Sequence, residues 1–460
     1  MPELIVDNPF TLAEAARIPL ADTAAVDRTL EAARAAARAF AGTEIRERVA
    51  LCSRVVEAME ASRDAIAADI TRMMGKPLRQ ASNEVAGMAK RARAMAEIAE
   101  ASLADVVLPP QPGFERRIAR APLGVVFNLP AWNYPLLTAV NVVIPAVLAG
   151  NAVVLKHSPR SPLCGGHFAD AFKAAGAPDG LVQALHCDHP TSERIAGDPR
   201  VDFVAFTGSV FGGHRIYAAA AKERFVDVGL ELGGNDAAYV AEDADLDKAV
   251  DGLVDGACYN AGQSCCAVER AYVHRSLYDR FVEAALAQMR AYKLGDPLDP
   301  GTTMGPIAQP THPAFIEKQI QQAQGLGARV LTGGKPTQVN GKGRFFEPTL
   351  LVDVHPSLDV MRVETFGPVL PVVPVDSDEE ALRLINDSDL GLTASVWTRD
   401  RDRAARLARA IETGTVYMNQ CDTLDPLLPW TGVKDSGKGA TLSHLGFLHL
   451  TRPKALNFKL

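Results

Sequence analysis

The stretch VVFNLPAWNYPLLTAVNVVIPAVLAGNAVVLK, residues 125–156, decides how the chain is read. It is apolar enough to invite a membrane-spanning reading, yet Asn128, Pro130, Asn133, Pro135, Asn141, Pro145 and Asn151 interrupt it. Lipid offers no partner for so many amides, nor for the backbone groups that proline frees. The stretch instead predicts strand Val125–Phe127, a rigid loop, helix Thr138–Leu148 and strand Ala152–Leu155. Short apolar runs alternate with helical ones beyond it: helix His167–Ala174, strand Leu181–Leu185, a helix near Thr191–Ile195, strand Phe203–Phe206. Such repetition predicts a parallel sheet covered by helices. Ligands of such sheets, dinucleotides above all, bind at the carboxyl ends of the strands.

Outward from this block the character changes twice. Residues 22–100 are rich in Ala, Arg, Glu and Met with apolar positions every three or four, which predicts helical packing without chemistry. Residues 106–122 (VVLPPQPGFERRIARAP) read as an extended excursion. A second α/β half begins near Gly234, with helices over Leu246–Tyr259, Leu277–Lys293 and Pro313–Leu326. Its strand-like runs are Arg270–Val273, Leu350–Val354 and Leu370–Val375.

At 460 residues the chain is long for one core. Its net charge of -7, with Lys and Arg scattered, does not suit a nucleic-acid partner. Met1–Phe10 carries neither a basic start nor an apolar run of signal length. Seven irregularly spaced cysteines predict reduced thiols in a cytoplasmic protein rather than a disulfide framework. His186 and His189 lack further ligands nearby in sequence and read as surface histidines, with no metal site.

Four segments could carry chemistry. In Asn260-Ala-Gly-Gln-Ser-Cys-Cys-Ala267 a cysteine follows a Gly-Gln loop, although a lone cysteine is more often a small buried hydrophobe. A reactive thiol needs access and surroundings that favour thiolate, and either Cys265 or Cys266 could meet that need. In Glu231-Leu-Gly-Gly234 a carboxylate ends an apolar strand, Val226–Leu230. Partial burial would raise its pKa and suit it to general-base work, against the plainer reading of a helix cap. In Leu129-Pro-Ala-Trp-Asn-Tyr-Pro135, Asn133 sits in a rigid loop where its amide could stabilise an oxyanion, or merely serve a turn. In Phe206-Thr-Gly-Ser-Val-Phe-Gly-Gly213 a strand, a glycine turn and a helix would aim N–H groups at a phosphate. Lys156, just past its strand, could meet a ribose or phosphate, or lie in solvent.

Together these segments resemble the aldehyde dehydrogenase superfamily over essentially the whole chain. Its Pro-Trp-Asn-Phe/Tyr-Pro motif stands as Ala131-Trp-Asn-Tyr-Pro135, and its Gly-Asn-x-Val-Val-Leu-Lys strand as Gly150 to Lys156. Phe206–Ser209, Glu231–Gly234, Gly262–Cys265, Glu364–Pro368 and Gly432–Gly437 match its further motifs in the same order. The resemblance implies an α/β fold of two Rossmann-like parallel-sheet domains with a small β oligomerisation arm. Residues 1–105 and 123–233 would bind NAD(P), residues 234–446 would form the catalytic domain, and 106–122 with 447–460 the arm. It implies NAD- or NADP-dependent oxidation of an aldehyde to its acid through a cysteine thiohemiacetal and thioester. Cys265 would be the nucleophile, Asn133 with the Cys265 N–H the oxyanion hole, and Glu231 the base for water. Leu129, Trp132, Lys156, Ser158, Gly208, Ser209, Gly213, Leu232, Glu364 and Phe366 would contact the cofactor. Homodimers or homotetramers, and no membrane partner, are the corresponding expectation. A catalytically silent member of the fold is the contrasting reading, and the intact Cys265, Glu231 and Asn133 argue against it.

Two departures bear on specificity. Pro159 stands where the family usually has a carboxylate for the adenosine ribose, so NAD remains the expectation while NADP is compatible. By resemblance the substrate tunnel would include Tyr134, Thr138, Asn141, Tyr259, Ser264, Cys266, Asp422, Leu424 and Trp430. Succinate-semialdehyde members commonly carry an arginine where Asn141 falls. Its absence disfavours a carboxylate-bearing substrate, which keeps a semialdehyde as the alternative. Tyr134, Tyr259 and Trp430 resemble part of a cage for amino aldehydes, against a plain tunnel for aliphatic or aromatic aldehydes.

Overall fold

Residues 2–460 are described by a computed structural model, and they build two parallel sheets and a three-stranded antiparallel one. The first sheet runs, edge to edge, Gly437–Lys438, Asp227–Glu231, Phe203–Thr207, Val125–Leu129, Ala152–Leu155 and Val182–Ala184. All neighbours pair in parallel except Gly437–Lys438. Val125–Leu129 and Ala152–Leu155 are buried at every position, which is why they read as unbroken apolar runs rather than alternating ones. Between them lies the Pro135–Leu148 helix, with Pro135 in its first turn where no N–H partner is needed.

The second sheet runs Arg329–Thr332, Thr349–Val352, Val369–Val375, Val268–His274, Asp236–Val240, Thr393–Trp397 and Thr415–Met418. Only the Arg329–Thr332 edge is antiparallel to its neighbour. Four helices, Thr23–Phe40, Ile45–Ala61, Arg63–Met74 and Leu78–Leu103, fill the stretch expected to be helical. Ahead of them an antiparallel hairpin of Glu3–Asp7 and Glu14–Pro19 was not expected from the sequence.

The 106–122 excursion forms strands Val106–Val107 and Phe114–Pro122, and the latter pairs over nine positions with Thr451–Lys459. The segment before that last strand departs from the expected boundary. Trp430 and Leu442 pack in the first core, and Ser443–His449 is a helix. The chain therefore returns to the first half well before residue 446, because these apolar side chains have their partners there. No disulfide joins the seven cysteines, and among the described residues no helix is long and apolar enough to cross a membrane.

Candidate active site

Four strands of the first sheet deliver their carboxyl ends to one cleft of about 1130 Å³. The loops after Leu129, Leu155, Thr207 and Glu231 contribute Leu129, Trp132, Asn133, Lys156, Ser158, Gly208, Ser209, Glu231 and Leu232 to its wall. The second half faces them with Cys265, His312, Glu364 and Phe366. Gly213 alone among the expected cofactor residues is not on the wall. A Cβ there would come within 2.7 Å of Leu232, so Gly213 lets the Val210–Ala221 helix close onto the residue that does line the cleft.

The loop carrying Cys265 is held in an unusual backbone. Asn260, Ala261 and Gly262 all have positive φ, 53°, 55° and 70°. Non-glycine residues cost about 1–2 kcal/mol each in that region, so surrounding bonds must hold them. Gln80 Oε1 accepts from Asn260 N (3.2 Å), and Asn260 Nδ2 donates to the carbonyls of Asn133 (3.2 Å) and Gln263 (3.0 Å). Gln263 Oε1 in turn accepts from Ala308 N at 2.8 Å. Gly262 has no room for a side chain, since a Cβ would lie 2.1 Å from the Gly367 carbonyl.

That backbone separates the adjacent thiols. Cys265 is partly accessible on the cleft wall, whereas Cys266 is 4% exposed. Its hydrogen bond with Cys265, then burial, pushes the Cys266 thiol well above its ordinary pKa, and its Sγ donates to Asp422 Oδ1 at 2.8 Å. A thiol kept neutral and out of reach makes a poor nucleophile. No backbone carbonyl among the described residues accepts from Cys265 N–H, which leaves that donor free. Asn133 is anchored by its own carbonyl, which takes Lys76 Nζ (2.7 Å) and Asn260 Nδ2 (3.2 Å), so its position does not depend on its side-chain amide.

Glu231 is gripped by Thr441 Oγ1 on one oxygen and by Thr207 Oγ1 on the other (3.1 Å). Burial raises its pKa against those two hydrogen bonds. Glu364 is raised well above its usual range by burial and then by the nearby Glu269. It reaches Gly234 N at 3.2 Å across Gly233, where any Cβ would sit 2.2 Å from its carboxylate. Phe366, at φ 50°, packs edge-on against Trp132 with centroids 5.6 Å apart. Its backbone is fixed by Glu269, which accepts from Thr365 N (2.6 Å) and Phe366 N (2.8 Å), and by His312 at its carbonyl (3.0 Å).

On the far wall Lys156 is 4% exposed, and burial lowers its pKa. Among the described residues no carboxylate lies within 4.0 Å of its ammonium. Pro159 and His189 line the same wall, and His189 remains exposed there, as a surface histidine should. Glu193 is there too but is engaged by Arg215 at 3.0 and 2.9 Å. Ser209 caps the Val210–Ala221 helix, whose first turn faces the cleft and suits an anion. A free buried cation, a helix N-terminus and a glycine cradle against Glu364 together fit a dinucleotide.

The expected substrate residues lie elsewhere: none of Tyr134, Asn141, Tyr259, Ser264, Cys266, Asp422 and Trp430 lines this cleft. Tyr134, Tyr259, Ser264, Cys266 and Asp422 do form one polar group, in which Ser264 and Cys266 are buried and the other three half-buried. Burial pushes Asp422 up to about 6. Two observations bear on the aromatic-cage expectation. One face of Tyr134 is already covered by Lys76 Nζ, 3.9 Å from the ring centroid. Trp430 is 6% exposed and pinned to Thr441 by backbone bonds of 2.8 and 2.9 Å. Position 141 is an asparagine, as the sequence shows, but an arginine reaches it from another helix. Arg91, on the Leu78–Leu103 helix, donates to Asn141 Oδ1 at 3.1 Å.

That helix belongs to the stretch expected to carry no chemistry. Gln80, Glu84, Gly87 and Arg91 recur at four, three and four residues, one face of a helix. A polar stripe at that spacing ordinarily faces solvent, and only the charge contrast with Ala81, Val85, Met88 and Ala92 could have singled it out. Glu269 and His312 gave no signal at all, because they act on the Phe366 backbone from a strand and a helix start distant in sequence.

A parallel-sheet cleft that fits a dinucleotide, with a thiol and a carboxylate on its wall, suits a nucleotide-dependent oxidoreductase. The comparisons give the family: the model for the aldehyde dehydrogenase family matches residues 2–456, and the chain belongs to that family. It is 38% identical over 435 residues to the NADP-dependent succinate-semialdehyde dehydrogenase 1 of Mycobacterium tuberculosis, covering 92% of this chain and 93% of that one. Its structure matches lactaldehyde dehydrogenase from Escherichia coli with a TM-score of 0.96 at 33% identity, over 100% of this chain and 95% of that one. Betaine aldehyde dehydrogenase from Staphylococcus aureus in complex with NAD+ matches with a TM-score of 0.95 at 29% identity, over 99% and 92%. The protein is accordingly an oxidoreductase acting on aldehydes with NAD or NADP.

Proposed function

We propose that this enzyme oxidises a semialdehyde to the dicarboxylic acid, with NADP preferred, through an acyl thioester on Cys265. The observation that carries the mechanism is the division of labour at residues 265 and 266, one thiol on the cleft wall and the other buried against Asp422. The Cys265 thiolate attacks the aldehyde carbon, and the oxygen takes up the charge. Asn133 and the free Cys265 N–H stabilise that oxyanion. The bound nicotinamide supplies the acceptor for the hydride that leaves this carbon. Glu231 then removes a proton from water, which attacks the thioester and releases the acid and the Cys265 thiolate. Glu364 and Lys156 would hold the two riboses of the cofactor.

NADP is favoured because Lys156 has no carboxylate partner and Pro159 supplies none, so a 2′-phosphate meets a cation without repulsion. The name of the mycobacterial relative supports both the semialdehyde and NADP. The exposed edge strand Thr451–Lys459, paired on one side with Phe114–Pro122, supports pairing with further copies in a homodimer or homotetramer. Seven unpaired cysteines support a cytoplasmic, reducing location. The test is the absorbance of reduced cofactor with succinate semialdehyde, butanal and betaine aldehyde, each with NAD and NADP. Turnover led by succinate semialdehyde with NADP is expected, and no turnover of any aldehyde would overturn the proposal.

A further inference from the structure

We propose that Arg91 is the residue that selects a carboxylate-bearing aldehyde, reaching the substrate from the Leu78–Leu103 helix rather than from the helix behind Asn133. The inference rests on the reading of Cys265 as nucleophile. Three observations carry it. The first is placement. Gln80, Glu84, Gly87 and Arg91 share a stripe that faces the active-site loops. Gln80 binds Asn260 N, Glu84 Oε1 takes Leu136 N at 2.8 Å, and Gly87 lets Leu137 approach to 3.2 Å of where a Cβ would be. Arg91 ends that stripe beside Asn141, six residues beyond Pro135. At 1.5 Å per residue this is about 9 Å up the helix from the Asn133 loop, a span that a short chain and a guanidinium bridge together.

The second is incomplete pairing. Only Nη1 is engaged, by the Leu137 carbonyl (3.4 Å) and Asn141 Oδ1 (3.1 Å), and both acceptors are neutral. Among the described residues no carboxylate lies within 4.0 Å of the guanidinium. A largely buried cation without a direct ion pair is costly unless an anion arrives, and the planar fork of arginine suits a carboxylate. The third is company. The charged and titratable groups that act on Arg91 are Glu231, Cys266, Glu84 and Cys265, and Asp422 acts with them. The guanidinium is therefore within electrostatic reach of the nucleophile, of its base and of the polar group that was expected to hold the substrate. Asp422, hydrogen-bonded to Cys266, opposes an incoming carboxylate, and Arg91 offsets it.

The alternative is that Arg91 only balances Glu231 and Asp422. The two roles separate in the ratio of kcat/KM for succinate semialdehyde to that for butanal, which have the same chain length and differ in the terminal group. Arg91→Gln should lower this ratio about 10- to 100-fold, the range carried by charge-assisted hydrogen bonds. Arg91→Lys, which keeps the charge and loses the fork, should fall between. A ratio unchanged in both variants while both rates drop together would overturn the proposal and assign Arg91 to the balance of Glu231. A wild-type preference for butanal would also overturn it. No turnover of either aldehyde by wild type would instead count against Cys265 chemistry itself.

Discussion

Lys76→Met tests whether the position of Asn133 is set from below. Lys76 and Glu84 are a buried ion pair with 0% and 1% side-chain exposure. The ammonium donates to Glu84 Oε2 at 2.5 Å and to the Asn133 carbonyl at 2.7 Å, and it caps the Tyr134 ring. Removing it strands a buried carboxylate whose remaining partner is Leu136 N. Breaking such a pair costs about 3–5 kcal/mol, because the charge left behind has lost both water and its partner. Asn133 would keep only Asn260 Nδ2 on its carbonyl. A displacement of about 1 Å at an oxyanion donor lowers the rate on the order of 10²-fold. Denaturant unfolding and kcat/KM are measured at one protein concentration on wild type, Lys76→Met and Lys76→Met/Glu84→Gln. The double variant no longer buries a bare charge, so it should recover most of the stability while kcat/KM stays low. A single variant within about 1 kcal/mol of wild type and with unchanged kcat/KM would refute the reasoning.

Further expectations follow from the same geometry. Cys265→Ser should cost at least about 10³-fold in turnover, while Cys266→Ser should keep thioester formation, as read by reduced-cofactor absorbance. Glu231→Gln should retain a single burst of reduced cofactor and then turn over about 10²–10⁴-fold more slowly, because only hydrolysis needs the base. Hydrolysis needs Glu231 deprotonated, and burial raises its pKa. Steady-state turnover should therefore fall as pH drops through a value above the ordinary glutamate figure of about 4.3, with that limb missing from the burst amplitude. Pro159→Glu puts a carboxylate on the Lys156 wall and should shift the NADP-to-NAD ratio of kcat/KM at least about tenfold toward NAD.

What the sequence made legible and what it hid divide along physical lines. Val125–Leu129 and Ala152–Leu155 were readable because strands buried on both faces leave no alternative to an apolar run. The Glu3–Asp7 and Glu14–Pro19 hairpin was not, since its strands are short, partly polar and joined through Leu12 at φ 60°. The segments holding Cys265 and Cys266, Glu231 and Asn133 could be singled out because each follows a strand or a loop of restricted residues, whereas the choice of Cys265 over Cys266 and the part of Glu364 came from the family resemblance. Arg91 and Lys76 could not, because a polar stripe on a helix reads the same whether it faces water or a buried site. For a related reason the sequence shows that Tyr134, Tyr259 and Trp430 are present, not that Lys76 occupies one face of Tyr134.

The central claim is an acyl thioester on Cys265 that Glu231 resolves. Its most direct test is intact-protein and peptide mass spectrometry of Glu231→Gln mixed with succinate semialdehyde and NADP. The account predicts a covalent adduct with the mass of the aldehyde less two hydrogens, one lost as hydride and one as a proton, on the peptide bearing Cys265 and absent from Cys265→Ser/Glu231→Gln. No adduct despite reduced cofactor, or an adduct that persists in the double variant, would contradict it.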